Sequence, residues 1–502
     1  MGSFVPLAPE NAPNPDTTLS QIVTTPPPAP NVPEPVGLLA GEAPAGGGSM
    51  AEVLRIALPA IVSQLSVTLM WIADTFFVGR LGTAEQGAVG FAGAVAWTLC
   101  SFVVGTLTAV QIFVAQHVGA GSGAKAGRVT WQGIGIAGIA AVPVLVIGLA
   151  GESFLGAFNI HPTLLPHAVT YFRIRLLGAG ATFVALACEN YLRGIGDTRT
   201  PMVIALLANL TNIVFDYLLI FGHAGFPRMG VAGAAWATVG SCVLQAVILF
   251  WIFLRRGRKE GHLPERVVRP SASEMLRLLR VGLPVGVQWV LDMGSWTAFT
   301  TIIAGLGEVQ AAANQVAVSI LHLSFMPGYG ISVAATTLVG QYLGAGNPRA
   351  AIRSAHRAVG LSVIFMGVMG VAFLFGRGIL VRAFNPDPAV IQVGERLLLI
   401  AAIFQIFDAV NLTLSGVLRG AGDTRFPMLA TIVMAWCIFL PAAWFLSIPM
   451  GLGVVGGWAA IILWTLGLAL VLGWRFRQRK WLHMLLVQRA SGPAPVAAAL
   501  AE

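Results

Sequence analysis

One stretch of eleven residues occurs twice in this chain. Leu192-Arg193-Gly194-Ile195-Gly196-Asp197-Thr198-Arg199-Thr200-Pro201-Met202 returns, with two positions changed, as Leu418-Arg419-Gly420-Ala421-Gly422-Asp423-Thr424-Arg425-Phe426-Pro427-Met428. Two shorter landmarks are repeated as well. Gln116-His117-Val118-Gly119-Ala120-Gly121 returns as Gln341-Tyr342-Leu343-Gly344-Ala345-Gly346, and Leu58-Pro59 as Leu283-Pro284. The offset is 225 from Pro59 to Pro284 and from Gln116 to Gln341, and 226 from Arg193 to Arg419. A common offset across half a chain marks an internal duplication. The fold must therefore be built from two related halves.

The sequence between the landmarks says what kind of halves. Of 502 residues, 56% are hydrophobic and 10% charged, with a mean hydropathy of +0.79; soluble domains carry about 25% charged residues. Residues 131–150 hold no charge at all, and about 20 apolar residues span a bilayer as a helix. Six apolar segments are predicted in each half. They are 53–79, 88–117, 129–150, 167–193, 201–222 and 231–254, then 278–305, 311–343, 356–376, 394–418, 427–447 and 453–474. The expected fold is an all-α polytopic membrane protein of 12 transmembrane helices in two six-helix lobes. The N-lobe is placed at 50–254, a basic linker at 255–277 and the C-lobe at 278–480.

The ends have a different character. Residues 1–49 hold eleven prolines and neither Lys nor Arg, a composition that cannot bury a core. That stretch is read as a disordered tail without the features of a signal peptide, with Met50 as a candidate start. Residues 481–502 are read as a second tail.

Charge gives orientation. The net charge of +9 would suit a nucleic-acid partner, but the basic residues lie in short loops between apolar runs, and no such partner is expected. With both termini on one side, 23 of the 30 Lys and Arg fall on that side. The positive-inside rule makes it the cytoplasm, so a multi-pass protein of the bacterial inner membrane is expected, with the halves running in the same direction. The doubled turns are then cytoplasmic. Arg193, Gly194, Gly196 and Asp197, with Arg419, Gly420, Gly422 and Asp423, are read as structural turns that join helices.

Enzymatic chemistry finds no footing. Cys100, Cys188, Cys242 and Cys437 lie in apolar runs without zinc-ligand spacing, and there is no Walker A motif, His-Glu-x-x-His or dinucleotide-binding fingerprint. What stands out instead are four carboxylates inside apolar segments: Asp74, Asp216, Asp292 and Asp408. Each costs about 2.5–3.5 kcal/mol at a helix centre on insertion scales, and such residues face a bundle interior or a wet cavity. No Lys or Arg is expected close to them, and Arg173, Arg175 and Arg396 are expected to snorkel.

Helical spacing adds amides to the acids. Asn209, Asn212 and Asp216 share one stripe, Gln288 and Asp292 are four apart, and Asp408 and Asn411 three apart. Asn190 and Glu189 lie near the end of the fourth segment. A carboxylate ringed by amides can hold a proton or coordinate sodium through oxygens, so Asp74, Asp216, Asp292 and Asp408 are the candidate cation ligands. Trp71, Trp97, Trp289 and Trp296 are candidates for an aromatic pocket, against plain packing.

On the doubled Arg-Gly-x-Gly-Asp-Thr-Arg-x-Pro-Met, the doubled Gln-x-x-Gly-Ala-Gly and Ile72-Ala73-Asp74-Thr75, the chain resembles the multidrug and toxic compound extrusion (MATE) family. The match covers about residues 50–480. It implies a cation-coupled antiporter that exports cationic, often aromatic compounds, with two six-helix lobes around a central cavity. By that resemblance Asp74 is the first-helix acid, and Asn212 with Asp216 the fifth-helix pair of the DinF-type branch. Asp292 stands where NorM-type members carry Glu, and Asp408 is the tenth-helix acid of the NorM-type C-lobe. Phe404 stands where some NorM-type members offer a tyrosine.

The resulting expectation is a monomeric secondary exporter with small-molecule substrates, lipid as its surroundings, H+ or Na+ as coupling ion and no cofactor. A lipid-linked precursor flippase is the alternative, and would want an Arg-lined cavity. A membrane-embedded enzyme is the distant one.

Overall fold

The computed structural model describes Gly2 and residues 47–158, 160–262 and 270–487, and every regular element among these is helical. The Pro-rich tail up to residue 46, residues 263–269 of the basic linker and the stretch after 487 lie outside the described residues. In the first half the helices are α1 (Met50–Gly79), α2 (Thr83–Gly119), α3 (Gly123–Leu149), the short α4 (Gly151–Gly156), α5 (Leu165–Leu177), α6 (Ala179–Gly194), α7 (Arg199–Phe221) and α8 (Val231–Lys259). In the second half they are α9 (Ala272–Ala304), α10 (Glu308–Gly344), α11 (Pro348–Phe384), α12 (Pro388–Ala421), α13 (Arg425–Ile432), α14 (Leu440–Ser447) and α15 (Gly453–Arg477).

Each of the twelve predicted segments has its counterpart. Among the described residues, ten helical spans are long and apolar enough to cross a membrane alone, and α5 with α6 do so as a pair bent by 43°. The twelfth is α9: its 33 residues suffice in length, while Gln288, Asp292, Ser295 and three threonines lower its hydropathy. The break between α5 and α6 falls at Gly178, where a Cβ would lie 2.6 Å from Cγ2 of Val239. The missing side chain lets α8 come in close, and the helix bends there. Between α13 and α14 the chain widens into a π-helical stretch, Val433–Phe439. Pro441 follows it; proline has no N–H to give and crowds the carbonyl four residues back, which a wider turn relieves.

Two apolar cores hold the molecule. One is built on Phe113, Phe172, Phe183, Leu249 and Phe253, the other on Leu338, Phe373, Leu397, Phe439 and Trp458. The division follows the duplication except that two helix starts are exchanged and Val487, beyond α15, joins the first core. Val53, Ile56, Ala57 and Ile61, from the start of α1, pack in the second core. Leu278 and Val281, from the start of α9, pack in the first. The helix that opens each half is thus rooted in the other half's core.

Lipid gives no hydrophobic drive for helix association, so close packing of small residues must supply it. A Cβ on Gly105 of α2 would lie 2.7 Å from Cα of Gly286 of α9, and one on Gly330 of α10 would lie 2.8 Å from the Ile61 nitrogen of α1. These are the same contact seen twice, because adding 225 to 105 and 61 gives 330 and 286. In this zone residues 105–119 of α2 are buried apart from half-buried Thr108, and residues 330–344 of α10 are buried throughout. A helix buried on every side has neighbours on every side. The face on which α1 begins and α15 ends is therefore sealed. Toward the opposite face α1 opens out, with Trp71 at 65%, Ile72 at 50% and Phe76 at 57% exposure.

Ordered contacts also precede Met50. Ser49 Oγ caps α1 by accepting from the Glu52 amide at 3.3 Å, and the Gly48 N–H donates to the Tyr342 hydroxyl at 2.6 Å. That hydroxyl donates in turn to Glu52 Oε2 at 2.5 Å.

Candidate functional site

The stripe read from the sequence forms. On α7, Asn212 and Asp216 are completely buried, and Asn209 donates to Ser66 Oγ of α1 at 2.6 Å. That bond sets α7 against α1 in the register that brings Asp216 and Asp74 together, carboxyl to carboxyl, within hydrogen-bonding contact. Among the described residues, Asp74 Oδ1 and both Asp216 oxygens nonetheless have no donor. Two carboxylates can only accept, so the contact becomes a hydrogen bond when a proton enters it. Both amide atoms of Asn212 also lack a partner among the described residues. Leaving a buried polar group unsatisfied costs about 1–3 kcal/mol, which is tolerable where a transient occupant completes the bonds.

The structure overturns one expectation here. Arg175 does not snorkel away: it lies inside, close enough to Asp74, Tyr171, Cys100 and Cys242 to act on each electrostatically, with its Nε unpartnered among the described residues. The hydropathy pattern draws residues 167–193 as one straight span with Arg175 near its start. The bend at Gly178 instead puts Arg175 at the inner end of a short tilted helix. A cation therefore stands beside the first pair of acids, where the sequence pattern predicts none.

The second half is looser. Asp292 and Asp408 are half-buried and within electrostatic reach of each other, with Arg419 also near Asp292. Arg419 donates to Ser332 Oγ at 3.0 Å. Gln288 donates to the Thr431 hydroxyl at 3.1 Å and keeps its carbonyl oxygen free.

Other candidates are occupied elsewhere. Asn190 donates to the Leu107 carbonyl at 3.0 Å, and Asn411 to the Thr465 carbonyl at 2.9 Å; both staple neighbouring helices, while Asn411 Oδ1 has no partner among the described residues. Glu189 pairs with Arg193 at 2.5 Å. Trp296 packs on Phe299, Phe439 and Trp464, and Trp289 on Tyr329. Among the described residues no ring contact joins any two of the four candidate tryptophans, so they do not assemble one aromatic box.

The doubled turns do more than join helices. Gly196 and Gly422 adopt φ of +89° and +94°, which glycine alone takes without strain. Asp197 accepts from the Arg199 and Thr200 amides at 3.1 and 3.0 Å and pairs with Arg256; Asp423 pairs with Arg475 at 2.8 Å. Each turn also bonds the opposite half. Gln341 donates to the Gly194 carbonyl at 2.8 Å, and Gln116 to the Gly420 carbonyl at 3.0 Å. Thr337 donates to the Arg193 carbonyl at 2.9 Å. Both glutamines stand out as landmarks along the chain, but nothing in their spacing signals that the two repeated motifs bind each other crosswise.

Comparison with known proteins bears on this arrangement. The MatE family model matches residues 59–218 and 284–445, one match in each half. The probable multidrug resistance protein NorM of Thermotoga maritima is 32% identical over 412 residues, covering 82% of this chain and 88% of the relative. The multidrug resistance protein PmpM of Pseudomonas aeruginosa is 32% identical over 432 residues, covering 84% and 90%. Among solved structures, a MOP superfamily transporter from Pyrococcus furiosus superposes with a TM-score of 0.80 at 22% identity, over 86% of this chain and 95% of the other.

Proposed function

Since this chain belongs to the MatE family of multi-pass membrane transporters, we propose that it is a secondary antiporter. It exports cationic, aromatic drug-like compounds in exchange for an inward-moving cation, from a cell whose cytoplasm meets the terminal face. The relatives named as multidrug resistance proteins support the substrate class, and the bias of 23 basic residues to that face supports the orientation.

The observation that carries this reading is the contact of Asp74 with Asp216 beside the wholly unpartnered Asn212. Two carboxylates in contact away from bulk water cannot both keep their charge. They call for one positive species: a proton between them, or a cation that parts them. A proton satisfies the pair in its contacting geometry without moving either carboxyl, so the coupling ion is read as H+. A cationic substrate entering from the sealed side would displace that proton, and a proton arriving from the open side would expel the substrate. Differential affinity in the two states drives the cycle. The halves 50–254 and 278–480 serve as the moving bodies.

The Asp292–Asp408 pair, near Arg419, forms the corresponding acidic wall of the second half and contributes to substrate binding. The flippase alternative is disfavoured, because Arg175 and Arg419 each have an acid within reach and line no purely basic cavity.

The test is uptake of a cationic dye into proteoliposomes under a pH gradient and a sodium gradient imposed separately. The pH gradient should drive uptake and Asp216→Asn should abolish it. Sodium-driven uptake alone would transfer the coupling role to Na+. Uptake under neither gradient would remove the antiport reading.

A further inference from the structure

A cavity of about 320 Å³ opens on the terminal face, away from the acids. Its walls come from both halves: Phe113 and His117 of α2, Lys125 and Arg128 of α3, Glu274, Arg277 and Leu278 of α9, and Val487 beyond α15. Three of these side chains are fixed cations, against one carboxylate. Arg128 pairs with Glu274 at 2.9 Å, which neutralises one of them. Arg277 lies over the Phe113 ring, 5.9 Å from its centre, and donates to the Leu486 carbonyl at 2.8 Å. Both contacts hold the guanidinium in place and leave its charge uncompensated. Lys125 is exposed and has no ion-pair partner among the described residues. His117 is 8% exposed and its Nδ1 has no partner among the described residues.

We propose that this cavity is a binding site for a phosphate group, of the kind carried by an anionic phospholipid headgroup or by free phosphate. The chemistry is that of phosphate recognition: an ammonium, a planar guanidinium fork and an imidazole converge from three helices. A site of this composition at the water-facing ends of membrane helices suits an anionic headgroup, since basic pockets between such helices bind them.

Its position gives the ligand leverage. Arg277 lies at the start of α9, the helix that opens the second half, and Lys125 on α3 of the first, so an anion between them ties α9 to α3. The Leu486 carbonyl that receives Arg277 belongs to the residue whose N–H donates to Gln116 Oε1 at 3.0 Å. The cavity thus adjoins one of the crosswise glutamine bonds, and a bound phosphate favours the state in which the terminal face is sealed.

The experiment uses the purified full chain, with phosphatidylglycerol titrated and retained lipid counted by native mass spectrometry. The expected result is one lipid retained on the wild type and affinity at least tenfold weaker in Lys125→Gln/Arg277→Gln. Lys125→Gln alone, at an exposed and unpaired position, should weaken it several-fold without disturbing folding, checked by size-exclusion chromatography. Arg55→Gln, an exposed cation elsewhere on the same face, should change nothing. In a second arm, millimolar inorganic phosphate raises the thermal midpoint of wild type and not of the double variant if free phosphate is the natural occupant. Equal lipid retention and equal phosphate response in wild type and both variants would overturn the proposal.

Discussion

Gln116 donates its side-chain amide to the carbonyl of Gly420, 304 residues away, at 3.0 Å. Its duplicate, Gln341, makes the same bond to Gly194 at 2.8 Å. Both bonds cross between the halves at the sealed terminal face. Polar bonds between membrane helices contribute about 0.6 kcal/mol each on average. Replacing both glutamines with alanine should therefore shift the balance between sealed and open forms roughly three- to tenfold toward open. Accessibility of a cysteine at Thr337, completely buried where it meets Gln111 and the Arg193 carbonyl of the first half, to a water-soluble maleimide reports this. Unchanged labelling in the double variant would show that the glutamines do not hold the seam.

A steric version of the same test uses the glycines. A Cβ on Gly119 would fall 1.9 Å from the Gln341 carbonyl oxygen, and one on Gly344 would fall 2.2 Å from that of Gln116. Backbone sits on the other side of each contact, so neither can yield cheaply. Gly119→Ala and Gly344→Ala should each keep the terminal face from closing and lower dye transport at least tenfold while the protein still folds. Transport at the wild-type rate in both would mean that closure tolerates a methyl group there.

Arg175 offers a charge test of the acid pair. A positive charge beside Asp74 opposes binding of a second cation, more strongly in a low-dielectric site than in water. Arg175→Gln should therefore bind a cationic dye several-fold more tightly in equilibrium titrations, while turnover falls because release becomes slower. Weaker binding would instead assign Arg175 a purely structural part.

What can be read from the sequence follows from these residues. The duplication, the twelve spans and the Asn212–Asp216 stripe are legible because they depend on spacing along one helix. Asn190 and Asn411 sit at equally suggestive spacings, yet each turns to a carbonyl on a neighbouring helix, a partner no single segment reveals. Arg175 escapes a sequence reading because a 43° bend at one glycine redirects a helix that the hydropathy pattern draws straight. The rooting of α1 and α9 in opposite cores has no signature in either helix; it arises from the close approaches at Gly105, Gly286 and Gly330.

His262, just past α8 and outside the spanning segments, makes a pH prediction. It is buried, with Nδ1 2.8 Å from the Tyr191 hydroxyl, 3.5 Å from Glu260 Oε2, and its ring against Gly123. Burial holds its pKa below the usual histidine value; Glu260 opposes this and Arg256 adds to it. Below the ordinary value of about 6.5 the unfolded chain takes up a proton that the folded chain resists. This contribution to stability is thus complete above that pH and is lost as pH falls toward the folded value. The thermal midpoint of wild type should drop between pH 7 and 5, and His262→Gln should flatten that part of the curve. A wild-type midpoint independent of pH in that window would contradict the assignment.

The crosswise pairing of Gln116 with Gly420 and of Gln341 with Gly194 also bears on symmetry. When a residue i of one body touches j of the other, and j of the first touches i of the second, the interface is isologous. Two identical six-helix chains meeting about a two-fold axis would make both bonds with a single kind of glutamine and a single kind of glycine. The present polypeptide thus closes on itself, within one chain, through the contact geometry of a two-fold dimer. Away from that axis the halves differ, as at Arg175 and Asp408.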